Sequence, residues 1–335
     1  MYQLTIPKDY HSPLNLRDTQ RAIKLCKDTF ERRLAKVLDL ERVTAPLMVW
    51  ANSGINDDLN GVERKVHFDL KEMDNEAEIV QSLAKWKRVA LHRYGFEPGE
   101  GLYTDMNAIR RDDSVDNLHS VFVDQWDWEK VILPEQRTEE YLEKTVRKIA
   151  HAIYLAQELV KADFPKLTQT INKDVFFITA QELEDKYPEL TPEQREIEIT
   201  REHRTVFIKQ IGGVLKSGIR HGGRAPDYDD WTLNGDLFVW SNALDTAIEV
   251  SSMGIRVDKA ALERQLKASG SEDRLQFDYH KSIMDGTLPL TIGGGIGQSR
   301  LCMLILEKAH ICEVQSSIWP ADMIEICSKN GMKLL

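Results

Sequence analysis

The sequence predicts an α+β fold, a mainly antiparallel sheet flanked by helices, and three observations support this class. Strand-like segments follow one another in pairs joined by short loops, a pattern typical of antiparallel hairpins. The glycine-rich segment TIGGGIGQSRLCMLIL, residues 291–306, has neither the dinucleotide-binding G-x-G-x-x-G spacing nor the P-loop spacing. Too little chain follows Gly297 for the further βαβ units of a doubly wound sheet. We therefore expect a single domain over residues 1–335.

Composition places the chain among ordinary globular proteins. Its 335 residues are 42% hydrophobic and 29% charged, and the formal net charge of -10 argues against indiscriminate binding to nucleic acids or anionic membranes. No secretory signal and no apolar run long enough to cross a bilayer is evident, so a cytoplasmic location is expected. The four cysteines lack metal-site spacing and predict buried free thiols in a reducing compartment: Cys26, Cys302, Cys312 and Cys327.

The N-terminal part predicts a long helix followed by a strand. Apolar residues recur every three or four positions between residues 18 and 40, with Asp18 as the expected N-cap. Residues 42–50 predict a strand although they contain Pro46. Because proline removes a ladder donor, this strand lies at a sheet edge, a bulge or a subunit boundary, unless Pro46 simply separates two elements.

A polar loop at residues 52–61 comes next and carries Asp57, which is either a solvated acid or a group that reaches into a site. Residues 76–94 predict a helix bearing Lys85 and Lys87. Residues two positions apart point to different sides of a helix, so at most one of these lysines faces a given pocket.

Residues 102–109 and 120–131 predict a long antiparallel hairpin with Arg110 at its charged turn. The period of two places Gln125 and Asp127 on one face of the second strand and Asp124 with two tryptophans on the other. A half-buried core strand should be apolar on one side, so polar groups on both faces indicate a wet or ligand-filled face.

The remaining elements alternate along the rest of the chain. Strands are expected at residues 66–70, 175–179, 206–211, 235–241 and 246–255. Helices are expected at residues 138–164, 180–187, 192–203, 259–269 and 272–284. The segment HGGRAPDYDDW at 221–231 predicts a long irregular loop, whose aspartates are either solvated or grip a cation or an amino group.

The segment at 291–306 predicts a strand end, a glycine turn and a helix. Its glycines permit positive φ and close approach of the backbone to a ligand. Arg300 falls in the first helical turn, where free N–H groups and the helix dipole already favour an anion. The alternative is a tight turn with a surface arginine.

Three features in this order resemble the three motifs of class II aminoacyl-tRNA synthetase catalytic domains: a helix and strand with Pro46, a hairpin turning at Arg110, and the segment bearing Arg300. AIEVSSMGIRV and IGGGIGQSRLCML are similar to the aspartyl and asparaginyl branch. From near residue 20 to the C-terminus the chain resembles the ammonia-dependent asparagine synthetase (aspartate–ammonia ligase) family, on the blocks SLAKWKR, GEGLYT, LHSVFVDQWDWE, RAPDYDDW, LNGD, SSMGIRV and TIGGGIGQSR.

This resemblance implies that L-aspartate, ATP and ammonia give L-asparagine, AMP and diphosphate through a β-aspartyl-adenylate, with Mg²⁺. It implies that Arg110 serves the α-phosphate and that Arg300 serves the triphosphate tail and the adenine face. The nucleotide-binding residues implied are Arg110, Ser120, Asp236, Gly295 and Arg300. The aspartate-binding residues implied are Lys87, Gln125, Asp229, Ser252 and Arg256. Asp236 and Glu249, on neighbouring strands, are the expected Mg²⁺ ligands, with paired strand acids as the alternative.

In the second step a neutral amine must attack the acyl carbon, so a carboxylate that attracts ammonium and accepts a proton is expected. Asp57 and Asp127 are both candidates, and the sequence does not choose between them. No cysteine or histidine has a glutaminase context, so free ammonia is the expected nitrogen donor. Only Thr232 and Leu233 intervene between Trp231 of the DYDDW block and Asn234 of the LNGD block, a shorter loop than the bacterial pattern, so the AMP-side wall is expected to differ.

Two other functions compete with this one. A tRNA synthetase of the aspartyl branch carries an N-terminal OB-fold, for which no room precedes the helix near Asp18. A non-catalytic paralogue is disfavoured because Arg110, Glu249, Arg256 and Arg300 are all present. The expected partners are therefore small molecules and a second copy of the chain, joined through the first helix and the Pro46 strand, with neither nucleic acid nor membrane.

Overall fold

The computed structural model describes residues 4–57, 59 and 63–335, so part of the predicted polar loop at 52–61 lies outside the described residues. The α-helices of the described chain are α1 Leu16–Leu38, α2 Ala84–Tyr94, α3 Glu139–Asp163, α4 Ala180–Lys186, α5 Pro192–His203, α6 Lys259–Ser269, α7 Asp278–Met284, α8 Gln298–Ile305 and α9 Ala321–Lys329. Its strands are β1 Leu40–Arg42, β2 Met48–Trp50, β3 His67–Leu70, β4 Met73–Ile79, β5 Gly101–Ile109, β6 Phe122–Val131, β7 Phe176–Thr179, β8 Thr205–Lys209, β9 Asp229–Ser241, β10 Thr246–Arg256 and β11 Thr291–Gly297.

Within these residues the large sheet has eight strands in the order β1-β5-β6-β11-β10-β9-β8-β7. Its two edge strands pair in parallel, β1 with β5 and β7 with β8, and every pair between them is antiparallel. The α+β prediction is therefore confirmed. The order also brings β6, β11 and β10 together at the centre of the sheet although they are far apart in sequence.

The predicted strand at 42–50 is wrong, because Pro46 separates two elements. Residues 40–42 pair with β5 at the edge of the large sheet, whereas β2 begins at Met48 and joins β4 in a second, small sheet. Proline offers no N–H to a ladder, so the chain leaves the first sheet before it enters the next.

The predicted helix at 76–94 is correct only from Ala84 onward. Residues 73–79 instead form β4, the middle strand of the small sheet, which pairs with both β2 and β3. Backbone pairing on two sides outweighs the weak local helix preference of this acidic segment. The two lysines of α2 are both buried.

Three further boundaries differ from prediction. The N-cap of α1 is Asn15, whose side-chain oxygen accepts the Asp18 N–H at 2.9 Å, so Asp18 lies inside the first turn. The strand expected at 235–241 begins six residues earlier, at Asp229, because the DYDDW block pairs with the end of β10. The helix expected at 272–284 is a 3₁₀ turn at Glu272–Gln276 followed by α7.

The expected glycine turn at 293–297 is also wrong, because these glycines belong to β11 and none of them has a positive φ. They are required for close approach within the sheet. A Cβ on Gly293 would lie 2.0 Å from Glu129 Oε2, and one on Gly294 would lie 2.5 Å from Met253 Cβ. Bulkier residues here would force apart the three central strands.

The main core lies between one face of the sheet and helices α1, α3 and α8. The rings of Phe30 on α1 and Trp126 on β6 have centroids 4.9 Å apart at an interplanar angle of 54°. Trp128 and Cys302 are fully buried in the same cluster. The predicted core helix at 138–164 is confirmed as α3, which begins after the Thr138 N-cap.

The four cysteines are buried and free, as expected. Among the described residues, no helix combines the length and apolar character needed to cross a membrane.

Gly235 provides a test of close packing in the large sheet. A Cβ at this position would lie 2.3 Å from the carbonyl oxygen of Ile208 and 2.7 Å from the Phe207 ring. We expect Gly235→Ala to lower the free energy of unfolding by about 1–3 kcal/mol through overpacking, measured by urea denaturation. Gly213→Ala is the matched control, because nothing lies within 4 Å of its Cβ. Equal stability of both variants would contradict this packing.

Candidate active site

A cavity of about 530 Å³, called the main cavity, opens over the start of β6, the middle of β10 and the end of β11. Seven of the residues implied by resemblance line it: Arg110, Ser120, Gln125, Glu249, Ser252, Gly295 and Arg300. The other six, Asp57, Lys87, Asp127, Asp229, Asp236 and Arg256, are buried side chains that do not line it. The cavity therefore has a polar lining in front of a buried layer of charges.

Arg300 stands at the start of α8 and faces the main cavity. Its Nη1 donates to the carbonyl oxygen of Glu249 at 3.1 Å and lies 3.8 Å from the Glu249 carboxylate, and its Nε donates to the Leu118 oxygen at 3.3 Å. These contacts orient the guanidinium while leaving it partly exposed to the cavity. Arg300 is therefore not a surface arginine beside a tight turn, which was the alternative interpretation of this segment.

Arg110 approaches the same cavity from the hairpin. Its backbone N–H still pairs with Val121, and its Nε donates to the Gln81 carbonyl oxygen at 3.2 Å. Ser120 lies across the turn, with its Oγ 3.1 Å from Ser317 Oγ. The main cavity thus presents two arginines from different motifs, which is the charge pattern expected for a polyanionic ligand.

Lys87 and Asp127 form a buried ion pair behind Gly295. The Lys87 Nζ lies 3.3 Å from Asp127 Oδ2 and donates to the Gly294 oxygen at 2.9 Å. Burial lowers the pKa of Lys87, although the charge of Asp127 acts in the opposite direction. Lys85 points away to Asp227, 3.4 Å distant, so the two lysines do face different surroundings.

Arg256, at the end of β10, is the centre of a second buried cluster. It makes a two-pronged contact with Glu129, with Nε to Oε1 at 3.0 Å and Nη2 to Oε2 at 2.8 Å, and Nη1 donates to Asp229. Burial raises the pKa of Asp229 despite Arg256. Burial would also raise the pKa of Glu129, but the charge and hydrogen bonds of Arg256 outweigh it and the pKa is lowered.

Sequence reasoning missed Glu129, although the period of two that joined Gln125 to Asp127 leads directly to it. These three side chains lie opposite Gly297, Gly295 and Gly293 of β11 in register. A Cβ on Gly295 would lie 2.4 Å from Gln125 Oε1 and 2.7 Å from Asp127 Oδ1. Gly295 therefore makes room for protein side chains.

Asp236 and Glu249 lie on the paired strands β9 and β10, near a register shift between Glu249 and Ser251. Asp236 Oδ1 is buried without a hydrogen-bond donor among the described residues, while Oδ2 accepts from Arg224. Glu249 is partly exposed. A hard cation suits such carboxylate oxygens, so the pair fits Mg²⁺ in chemistry.

A second group of potential metal ligands is buried elsewhere: His310, Cys312 and Cys327, whose ligand atoms lie within 4.8 Å of one another. Nitrogen and sulfur donors suit soft metals and do not suit Mg²⁺. The acids Asp236 and Glu249 are thus the better match for a nucleotide-bound cation.

Asp57 is fully buried, and only one of its carboxylate oxygens is bonded. Oδ1 accepts the Leu59 N–H at 2.9 Å, and Oδ2 has no donor among the described residues. Burial raises the pKa of Asp57, against the opposing charges of Lys85 and Arg110. Burial therefore makes protonation of Asp57 easier than that of a solvated aspartate.

The loop at 221–231 supplies site residues that the sequence did not single out. Arg224 and Tyr228 line the main cavity, and the Arg256 guanidinium lies 5.7 Å from the Tyr228 ring centroid. Asp227 is fully buried and accepts from Lys85, Arg274 and His280. Arg224, Asp227 and Tyr228 all belong to the RAPDYDDW block, and the resemblance of that block to the family was the one feature of the sequence that could have indicated them.

Sequence comparison identifies close relatives. The profile of the family described as aspartate-ammonia ligase matches residues 17–331. The aspartate–ammonia ligase of Lactobacillus acidophilus is 57% identical over 335 residues, covering 99% of this chain and 100% of the relative. That of Clostridium tetani is 56% identical over 335 residues, covering 99% of this chain and 98% of the relative.

Solved structures show the same fold at low identity. The asparaginyl-tRNA synthetase of Pyrococcus horikoshii complexed with asparaginyl-adenylate superposes with a TM-score of 0.65 at 16% identity, covering 90% of this chain and 70% of that one. The Entamoeba histolytica asparaginyl-tRNA synthetase, also with asparaginyl-adenylate, gives 0.63 at 15% identity, covering 89% and 66%. The expected class II synthetase-like catalytic fold is confirmed.

Substitution of Glu129 tests how much the buried cluster around Arg256 contributes to the free energy of unfolding. We expect Glu129→Ala to destabilise the protein by about 3–5 kcal/mol, because the buried Arg256 would lose its two-pronged partner and keep only Asp229. Glu325→Ala, which breaks a solvent-exposed pair with Lys329, should cost no more than about 1 kcal/mol. Urea denaturation of both variants measures the difference, and similar losses would contradict the inferred burial.

Proposed function

The chain belongs to the aspartate-ammonia ligase family and so makes asparagine from aspartate and ammonia, and on that premise we propose that it does so through a β-aspartyl-adenylate formed from ATP. The observation that carries this mechanism is the main cavity itself. It joins Arg110 and Arg300, from separate motifs, to a floor of buried acid and base pairs.

In the first step an oxygen of the aspartate β-carboxylate attacks the α-phosphorus of ATP. The new C–O–P linkage forms as the bond from the α-phosphorus to the bridging oxygen breaks, and diphosphate leaves with the bonding electrons. Arg110 would neutralise charge on the α-phosphate and Arg300 on the diphosphate, with Ser120 beside the AMP portion. Positioning and charge neutralisation supply most of the catalysis in such a transfer.

The buried layer suits the amino-acid end of aspartate. Within it and its neighbour Glu129, the bases Lys87 and Arg256 contact three acids, Asp127, Asp229 and Glu129, so this group of five carries one more acid than base. This excess favours the α-ammonium group, while the two cations give the α-carboxylate its donors. Gln125 and Ser252, in the cavity lining, would complete the contacts.

Asp236 and Glu249 would hold Mg²⁺, and Arg224 keeps one oxygen of Asp236 fixed. The bound ion supplies neutralisation of phosphate charge. A cytoplasmic location and small-molecule substrates without nucleic acid belong to the same proposal, supported by four buried free cysteines and the net charge of -10.

We expect AMP and diphosphate to accumulate only when ATP, aspartate and ammonia are present together, because the adenylate is consumed by the nitrogen nucleophile. Omitting each component in turn, with AMP quantified by chromatography, measures this dependence. Adding tRNA should change nothing. Formation of ADP in place of AMP, or a requirement for tRNA, would overturn the proposed mechanism.

The homodimer expected from the sequence remains a proposal, supported by exposed apolar side chains of the small sheet. Four large side chains around the small sheet are between 41% and 53% exposed: Leu47, Met48, Trp50 and Met73. Clustered exposed apolar groups of this kind mark protein interfaces. They stand in the region of Pro46, where the subunit boundary is expected.

Light scattering at micromolar concentration should give the mass of a dimer, and Trp50→Glu should shift the protein toward monomer because a charge would be buried at the interface. Ile318→Glu is the control, since Ile318 is also exposed but lies near the C-terminus. A monomeric wild-type protein would refute the dimer.

A further inference from the structure

A second cavity, called the side cavity, has a volume of about 350 Å³ and lies beside Asp57. Its rim includes the exposed residues Asn52 and Asp273, and its floor includes the buried residues Asn56, Lys85 and His280. It therefore leads from solvent into the interior without passing through the main cavity.

Asp57 and Asp227 stand between the two cavities. Asp227 Oδ2 accepts from Lys85 at 3.4 Å, Arg274 at 2.7 Å and His280 at 3.0 Å, all of which line the side cavity. The chain neighbour of Asp227, Tyr228, lines the main cavity. The chain neighbour of Asp57, Asn56, lines the side cavity, and Leu59, whose N–H donates to Asp57 Oδ1, lines the main cavity.

This wall contains acceptors that lack donors. Within the described part of the chain, Asp57 Oδ2, Gln81 Oε1 and Asp227 Oδ1 are all buried and receive no hydrogen bond. Gln81 is held next to Asp57, because its Nε2 donates to the Asp57 carbonyl oxygen at 3.0 Å. Leaving buried acceptors unsatisfied is costly, so a small ligand that only donates hydrogen bonds would be bound here.

The charges at the wall favour a cation. The lysine and arginine side chains of the side cavity already have acidic partners, since Lys65 lies 3.7 Å from Glu78 and both Lys85 and Arg274 contact Asp227. Asp57 forms no ion pair with any described residue. A buried carboxylate of this kind calls for a counter-ion.

We propose that ammonium enters through the side cavity and binds at the wall to the oxygens of Asp57, Gln81 and Asp227. This inference rests on the proposed function, in which aspartyl-adenylate fills the main cavity while nitrogen must still arrive. Ammonium carries four donors and no acceptor, which matches three unsatisfied acceptors and one unpaired acid. The side cavity gives it a route that the leaving AMP does not block.

Binding at this wall also prepares the nucleophile. An N–H bond of ammonium breaks, its electron pair stays on nitrogen as neutral ammonia, and the proton goes to Asp57 Oδ2. Ammonia then attacks the acyl carbon of the adenylate, where a C–N bond forms and the C–O bond to AMP breaks. The additional proton on nitrogen passes to the phosphate of the leaving AMP as the amide forms. Burial favours the first transfer because it converts a buried ion pair into two neutral groups.

Blocking the side cavity tests the route. Ser271 is half-buried and lines it, whereas the next residue, Glu272, is exposed and does not. Ser271→Trp should raise the KM for ammonium chloride several-fold in asparagine formation and leave the KM for aspartate unchanged. Glu272→Trp, the matched control, should leave all three substrate constants unchanged.

Gln81→Met tests the binding site, because it removes one acceptor at similar volume. We expect it to raise the KM for ammonium by about tenfold, the effect of losing one hydrogen bond to a charged ligand. Aspartate-dependent exchange of labelled diphosphate into ATP, without ammonia, should stay unchanged in Ser271→Trp and Glu272→Trp, and the circular dichroism spectrum of Gln81→Met should match that of the wild-type protein, which shows that each has folded.

The outcomes separate the two hypotheses. If the wild-type enzyme shows no diphosphate exchange and no AMP formation, the proposed adenylate mechanism fails. If exchange is normal in both tryptophan variants but the KM for ammonium is unchanged in Ser271→Trp and Gln81→Met, the mechanism stands and the ammonium route is refuted.

Discussion

The site depends on one packing constraint, the alternation of glycines along β11 opposite the polar face of β6. Gly293, Gly295 and Gly297 face Glu129, Asp127 and Gln125 in register. A single methyl group at the first two positions would overlap a carboxylate or an amide. Charged side chains can therefore lie flat over the centre of an antiparallel sheet, where large apolar residues usually pack.

Those charges are offset in the interior by partners from other elements, since Lys87 of α2 pairs with Asp127 and Arg256 of β10 pairs with Glu129. Arg256 on β10 binds Glu129 on β6 and Asp229 on β9, so one guanidinium ties together strands from three parts of the sequence. Burial of charges is costly, and the cost is offset only when geometry and hydrogen bonds are good. The arrangement stabilises the fold less than an apolar core would. In the proposed function, it provides a preorganised site for a charged amino acid.

In the proposed mechanism, two kinds of cation serve the two charged substrates, ATP and aspartate. Arg110 and Arg300 are held mainly by carbonyl oxygens and remain open to the main cavity, where phosphate charge would develop. Lys87 and Arg256 are buried and already neutralised, which suits the fixed charges of an amino acid. Asp57 is a buried acid with no ion-pair partner among the described residues, and burial raises its pKa.

The sequence by itself determined the α+β class, the hairpin turning at Arg110, the long helix α3 and the family, because periodicity and ordered motif blocks are local properties of a chain. The sequence-based predictions were wrong about β4, the start of β9 and the glycine turn in β11, and they extended one strand through Pro46. Each of these depends on which strand lies alongside, and strand pairing joins residues distant in sequence. Only the tertiary structure showed that Glu129 contacts Arg256 and that Asp227 contacts Lys85. Both contacts join residues distant in sequence, which meet only when the fold has assembled.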